Sequence, residues 1–231
     1  MIEVSRKELK YLLSLDEVLR IKSKLQSVMK SDSHNGLNGY RVRSLYFDTL
    51  FDSDFEEKVA GYDKRQKIRL RIYGDTNSII KLELKAKEGS FQKKSSLVLS
   101  REEAEKIISG DYTLLMERTE ELAHRIYILM TSKMYRPKCI VEYDRWALIR
   151  NENDIRITFD SNLRATESNF DIFCDNLILY PVSSASEITM EVKYNGFLYT
   201  YIKNVISLCS RVHISNSKYC RARMITKKGR L

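Results

Sequence analysis

KIRLRIYGD, residues 67–75, decides how the rest of the chain is read. In an extended strand successive side chains alternate between faces, so Ile68, Leu70 and Ile72 point one way and Lys67, Arg69 and Arg71 the other. The apolar row suits a core. The opposite row sets three like charges side by side, and their repulsion calls either for open water or for a polyanion.

The same division recurs along the chain. Arg6, Glu8 and Lys10 alternate with Lys7, Leu9 and Tyr11. Lys81, Glu83, Lys85 and Lys87 alternate with Ile80, Leu82, Leu84 and Ala86. Arg156, Thr158 and Asp160 alternate with Ile155, Ile157 and Phe159, and Thr189, Glu191 and Lys193 with Ile188, Met190 and Val192. An antiparallel sheet that buries one face and wets the other accounts for any single strand of this kind. Two features point further. The charged rows are rich in Arg, the residue suited to two-pronged contact with phosphate or carboxylate. An occasional Glu among the bases is what a metal site set within a phosphate site requires. If the sheet curls with its apolar faces outward beneath helices, the charges converge on one lumen.

Bulk properties agree with an acidic partner. The 231 residues carry a net charge of +9, and 43% of them are hydrophobic, enough for a real core. No run of about 18 apolar residues is present, so no membrane span is expected. The first residues lack the apolar stretch of a signal peptide. Cys139, Cys174, Cys209 and Cys220 share no metal-type spacing and read as packed thiols of a reducing compartment, which makes the expected location cytoplasmic.

Periodicity predicts strands over 4–12, 40–48, 67–73, 79–87, 93–99, 138–149, 155–160 and 187–194. It predicts helices over 16–29 with Asp16 as N-cap, over 101–109 with a Ser100–Glu103 capping box and a Gly110 stop, over 113–133 as one long helix, and over 197–209. Trp146 is expected beneath a helix. The loop 31–39 reads as a mobile surface turn without a function, and the tail 221–231 as a disordered basic end. No Pro-, Gly- or Ser-rich linker divides the chain. The fold class is α+β: one domain over residues 1–231, an eight-stranded antiparallel β-barrel with flanking helices.

Several chemistries are excluded by their missing motifs: a glycine-rich phosphate loop, a zinc-binding His–Glu helix and a nucleophile elbow. His34, His124 and His213 lie far apart and read as structural or solvent-facing. Single-stranded nucleic acid is the rival from another class, since Tyr40, Tyr46, Phe47 and Tyr73 can stack bases. Those aromatics fit core positions as readily, no RRM, KH or zinc motif accompanies them, and no nucleic-acid partner is expected.

Eight stretches in order, ELKYLL (8–13), YRVRSLYFDT (40–49), KIRLRIYGD (67–75), KLELKAKEG (81–89), CIVEYDRWAL (139–148), IRITFD (155–160), EITMEVK (187–193) and SNSKYC (215–220), resemble the polyphosphate-polymerase domain of the vacuolar transporter chaperone family. That family belongs to the triphosphate tunnel metalloenzymes, alongside CYTH-type triphosphatases and cyclases. The resemblance implies a tunnel walled by antiparallel strands and lined with bases. Carried over by position, the catalytic set is Lys10, Arg69, Arg71, Lys85, Arg156 and Lys218; Lys94, Tyr143, Arg145, Lys193 and Ser217 bind substrate; and Glu191 binds Mn²⁺ or Mg²⁺. The implied activity is metal-dependent synthesis of polyphosphate from a nucleoside triphosphate. Alternatives are a domain that binds or senses polyphosphate without making it, and a triphosphate hydrolase. The implied ligands are nucleoside triphosphate, triphosphate and polyphosphate, with association to membrane partners left open. CYTH enzymes open Glu-x-Glu-x-Lys, whereas this chain has Arg6, Glu8 and Lys10, which argues against a two-metal triphosphatase. Crowded like charges would destabilise an empty lumen, so triphosphate is expected to raise the melting temperature, and replacing Arg69 and Arg71 to abolish that rise and relieve the repulsion.

Overall fold

The computed structural model describes residues 6–74, 79–89, 91–209 and 217–228, without the side chains of Arg6, Thr226 and Lys228. In chain order the elements are β1 (Arg6–Leu13), α1 (Leu15–Gln26), β2 (Lys30–Ser31), β3 (Tyr40–Asp48), α2 (Ser53–Val59), β4 (Arg65–Tyr73), β5 (Ile80–Glu88) and β6 (Phe91–Leu99). They continue as α3 (Arg101–Ser109), α4 (Leu114–Glu117), α5 (Glu121–Ser132), β7 (Arg136–Arg150), β8 (Ile155–Thr166), β9 (Tyr180–Pro181), β10 (Ile188–Asn195), α6 (Thr200–Ile206) and α7 (Lys218–Lys228). The eight long strands follow the order β1-β10-β8-β7-β3-β4-β5-β6, and β2 and β9 are two-residue additions on β7 and β8. The expected class, α+β with eight long antiparallel strands and flanking helices, is the observed one. All eight expected strands are present, with ends shifted by a few residues; Val4 and Ser5 of the first lie outside the described residues.

The chain divides into two compact units. The first comprises residues 6–41, 143–163 and 183–209; the second comprises 42–142, 164–182 and 217–228. Each has its own core. In the first, the apolar rows of β1, β8 and β10 (Tyr11, Ile157, Phe159, Met190 and Val192) pack with Val18, Ile21 and Leu25 of α1 and with Ile202 of α6. Trp146 packs against this core as expected, with Lys22 of α1 at 3.8 Å over its ring. In the second, Leu45, Ile68, Leu70, Leu82 and Leu84 pack with Ile107, Leu115, Ile126 and Met130 of the helices. The period-2 alternation read from the sequence is what sends these residues to the core and the charged rows to the opposite face.

Five local expectations are corrected. The cap of α1 is Ser14, not Asp16: Ser14 Oγ accepts from Glu17 N at 3.3 Å and Ser14 N donates to Glu17 Oε2 at 2.9 Å, while Asp16 lies in the first turn and pairs with Arg20. Residues 113–133 are two helices, α4 and α5. Arg118 between them is extended and is clamped by Glu103 and Glu120 at 2.7 and 2.6 Å, an arrangement a continuous helix would forfeit. The Ser100–Glu103 box and the left-handed Gly110 stop of α3 are as expected.

The helix expected over 197–209 is confined to Thr200–Ile206. The tail, expected to be disordered, is helical from Lys218 to Lys228; Gly229–Leu231 lie outside the described residues. Tyr219, Cys220 and Ala222 are buried, and Arg223 grips Asp52 at 2.6 Å and Glu167 at 2.8 Å. The unforeseen α2 is too short for a periodic signal, and its first N–H groups are satisfied by Asp48, which accepts from Asp54 N and Phe55 N at 2.9 and 3.0 Å. Loop 31–39, expected to be mobile, is tied to β7. Asp32 N donates to Ala147 O at 3.0 Å, and the Asn35 amide both donates to Ala147 O and accepts from Ala147 N. Gly39, at φ +90°, lies so close to β7 that a Cβ would fall 2.2 Å from the Arg145 carbonyl oxygen, so only glycine fits.

Candidate functional site

The charged rows form one cluster in each unit. In the first unit, strand register builds the cluster as a grid. Lys10 of β1 faces Glu191 of β10, which faces Thr158 of β8; one row along, Glu8, Lys193 and Arg156 align in the same way. Buried Glu191 is ringed by cations, with Lys193 at 3.1 Å, Lys10 at 3.4 Å and Arg145 at 3.7 Å. Arg145, on β7, makes a fork with Asp160: Nε to Oδ1 at 2.7 Å and Nη2 to Oδ2 at 2.8 Å. Burial alone would lower the Arg145 pKa, but Asp160, Tyr143 and Glu191 hold it well above the ordinary value. Lys10 also reaches Glu8 at 2.9 Å, and Arg156 reaches Asp32 at 2.8 Å. Each base of this cluster therefore meets a carboxylate.

The second cluster is arranged differently. Tyr46, Arg69, Glu83 and Ser96 align across β3, β4, β5 and β6, flanked by Ser44, Arg71 and Lys81 on one side and by Lys67, Lys85 and Lys94 on the other. Glu83 is the carboxylate among these cations. Arg69 bonds it at 2.6 and 2.7 Å, and Lys94 pairs with it as well. Burial raises the Glu83 pKa, but Arg69, Arg71 and Lys94 outweigh that and draw it down to about 2. Tyr46 OH accepts from Arg69 at 3.0 Å; although Tyr46 is buried, which raises a phenol pKa, the charges of Arg69, Arg71 and Lys67 bring it below its ordinary value. Ser44 Oγ accepts from Arg71 Nε at 2.9 Å. The start of α7 is drawn in through Lys67, which donates to Ser217 Oγ at 2.5 Å and lies over the Tyr219 ring.

Of the residues carried over from the resemblance, Lys10, Tyr143, Arg145, Arg156, Glu191 and Lys193 fall in the first cluster. Arg69, Arg71, Lys85, Lys94 and Ser217 fall in the second, with Lys218 opening α7 beside Ser217. Lys67, which the resemblance does not include, shares the alternation of Arg69 and Arg71 and joins them in this cluster. Asp160 shares the row of Arg156 and is the main partner of Arg145. Asp32 gave no signal, because its partner Arg156 lies far away in sequence. One energetic expectation reverses: Arg69 does not merely repel its neighbours, since it neutralises buried Glu83, and removing it leaves that carboxylate short of a partner. His34 is exposed and bonded to Asp32, His124 bonds the Arg118 carbonyl, and His213 lies outside the described residues.

Glu191 and Thr158 are hard oxygen donors facing each other across β10 and β8, and Thr158 Oγ1 is buried without a hydrogen-bond partner among the described residues. Among those residues no three His, Cys, Asp or Glu side chains gather into a ready cage. The donor set fits a small hard cation that takes its remaining ligands from phosphate oxygens and water. No helix among the described residues is long and apolar enough to cross a membrane.

A VTC domain family model matches residues 5–227. Among solved structures, a candidate adenylyl cyclase from Hippeastrum, described as having a dominant triphosphatase activity, is 13% identical, with 95% of this chain and 96% of that one covered and a TM-score of 0.55. A candidate adenylate cyclase from Bacillus halodurans is 14% identical, with 92% and 95% covered and a TM-score of 0.52. At these identities the likeness establishes the shared fold. No curated protein matches the chain.

Proposed function

The chain belongs to the VTC domain family, and from that premise we propose that it binds a triphosphate or polyphosphate chain and transfers a terminal phosphoryl group in polyphosphate synthesis. The observation that carries the reading is the second cluster, where Lys67, Arg69, Arg71, Lys85 and Lys94 gather about Glu83 and the first three lower the pKa of a buried phenol. Such a surface holds several bases fixed on one strand face, which is what a chain of phosphates needs.

Phosphoryl transfer spreads negative charge over the transferred group, so a protein catalyses it by positioning and by charge stabilisation. Arg69 is held by Glu83 and Tyr46, and Arg71 by Ser44, so their guanidinium groups are oriented before a ligand arrives. Lys85 and Lys94 add charge one row along, and Lys67 with Ser217 adds a donor at the start of α7. In the first cluster Lys10, Lys193 and Arg145 hold Glu191 in position, and Arg156 and Arg145 offer phosphate contacts of their own. Glu191 and Thr158 would hold Mg²⁺ or Mn²⁺, which when bound supplies neutralisation of phosphate oxygens.

The Hippeastrum relative makes triphosphate hydrolysis the second reading. Arg6 in place of an acid counts against the two-metal form of that chemistry. Incubation of the purified chain with ATP and Mn²⁺, followed by a polyphosphate gel and a free-phosphate assay, tests both. Lengthening chains support the polymerase, and free phosphate alone supports the hydrolase. Neither product, with tripolyphosphate still raising the melting temperature, leaves a binding domain.

A further inference from the structure

Asp32 and His34 form a carboxylate–imidazole pair that the phosphate contacts leave unused. Asp32 is buried; its Oδ1 accepts from the backbone N–H of His34 at 3.0 Å and from Nδ1 at 2.8 Å, and its Oδ2 accepts from Arg156 Nη2 at 2.8 Å. Burial opposes the charge on Asp32, but the backbone and ring N–H groups of His34 and the Arg156 charge outweigh it and hold the carboxyl below its ordinary range. An ionised carboxylate can only accept, so in the neutral imidazole Nδ1 carries the ring hydrogen and Nε2 the lone pair. Nε2 has no partner among the described residues, and the His34 side chain is 77% exposed. A proton taken up there can be passed on to water.

The pair is joined to an anion contact. Arg156 Nη2 also donates to Tyr40 OH at 2.9 Å, while its Nε is buried with no hydrogen-bond partner among the described residues. The guanidinium is thus held at one end and keeps a donor for a ligand. A phosphate on Arg156 lies one carboxylate away from a basic nitrogen. Asn35 and Gly39 fasten the intervening loop to β7, so the arrangement is built in. The charged and titratable groups around the imidazole are Asp32 of its own loop, Tyr40 of β3 and Arg156 of β8, with Arg145 of β7 acting on Tyr40.

We propose that His34, oriented by Asp32, is the general base that takes the proton from the acceptor hydroxyl during phosphoryl transfer. The acceptor is the P–OH of a phosphate chain or a water molecule, and the inference rests on the phosphoryl-transfer reading given above. In the step, the acceptor O–H bond breaks and its proton goes to Nε2. The acceptor oxygen forms a bond to the terminal phosphorus of the donor, and the bridging P–O bond breaks, leaving its electron pair on the departing diphosphate end. Nothing is oxidised or reduced. The imidazolium then returns its proton to solvent, and Asp32 stabilises the charge in the interval.

The test measures turnover of ATP with Mn²⁺ by the full chain, its His34→Ala and His34→Gln variants, and the positioning variant Asp32→Asn, between about pH 5.5 and 8.5. Longer chains identify a phosphate acceptor, free phosphate a water acceptor. Both His34 variants should lose about 100-fold in kcat with KM changed less than about twofold. The acidic limb of the wild-type profile should flatten in both, free imidazole should restore part of the His34→Ala rate, and Asp32→Asn should lose less. A His34→Ala rate within about threefold of wild type, or a loss of equal size at every pH, overturns the proposal. Wild-type protein that binds tripolyphosphate without turning over ATP overturns the general base while leaving the anion site intact. Protein that does not bind tripolyphosphate overturns both.

Discussion

Tyr46 and Tyr40 are two covered phenols, each bonded to an arginine, and their acidities move in opposite directions. Burial raises both. At Tyr46 the charges of Arg69, Arg71 and Lys67 prevail and the pKa falls; at Tyr40 the charges of Arg156 and Arg145 are opposed by Asp32, and it rises. The two clusters have similar bases on similar strands, so the difference lies in the carboxylates. Glu8, Asp32, Asp160 and Glu191 match the bases of the first unit nearly one for one, whereas in the second Glu83 is shared by Arg69 and Lys94. A balanced cluster is suited to holding a cation beside an anion. A cluster built of several bases around one shared carboxylate is suited to gripping the anion itself.

The contrast can be broken first at its balanced end. Asp160→Ala leaves Arg145 buried with Glu191 at 3.7 Å as its remaining carboxylate, and should cost about 3–5 kcal/mol in denaturant unfolding. A cost below about 1 kcal/mol would mean that the fork is not what keeps Arg145 in place. At the other end, Glu83 has a folded pKa of about 2 against an ordinary 4.5. Its contribution, about 3 kcal/mol, is therefore present above pH 4.5 and is lost as pH falls towards 2. The stability gap between wild type and Glu83→Gln should shrink over that window. A gap constant across it would show that the Arg69 and Lys94 contacts do not depend on the charge of Glu83.

Gly39→Ala forces a Cβ towards the Arg145 carbonyl at a left-handed φ, and should lower stability by about 2 kcal/mol, measured by urea unfolding, without weakening tripolyphosphate binding at the second cluster. An unchanged midpoint would mean that the loop moves aside freely. The smallest effect is the sharpest for the comparison itself. In carbon-13 spectra of the tyrosine rings, the signal lost in Tyr46→Phe should titrate at lower pH than the one lost in Tyr40→Phe; the reverse order would contradict the charge assignment.

Much of this was legible in the sequence because β-strand alternation is a strict geometric rule. Once Ile68, Leu70 and Ile72 are assigned to a core, Lys67, Arg69 and Arg71 must share the other face, and register across β4, β5 and β6 then gathers Lys85 and Lys94. Pairing between bases and acids was less legible, because it depends on which strands are neighbours: Arg145 with Asp160 joins β7 to β8, and Lys10 with Glu191 joins β1 to β10. Loop 31–39 was the least legible. Its composition describes any polar turn, and only the contacts of Asp32 with Arg156, Asn35 with Ala147 and Gly39 with Arg145 reveal that it is fixed against the first cluster. The tail was misread for a similar reason. A basic segment looks solvated until its counter-ions, Asp52 and Glu167 for Arg223, are brought beside it.

The proposed function requires fixed bases on β4, β5 and β6 to grip a phosphate chain. Calorimetric titration of tripolyphosphate into wild type, Lys85→Ala and Arg69→Lys at low and high salt tests it most directly. The account predicts wild-type affinity that drops as salt rises, and about tenfold weaker binding in each variant: in Lys85→Ala because a charge is lost, in Arg69→Lys because the planar fork is lost while the charge remains. Affinity indifferent to salt and unchanged in both variants would contradict it.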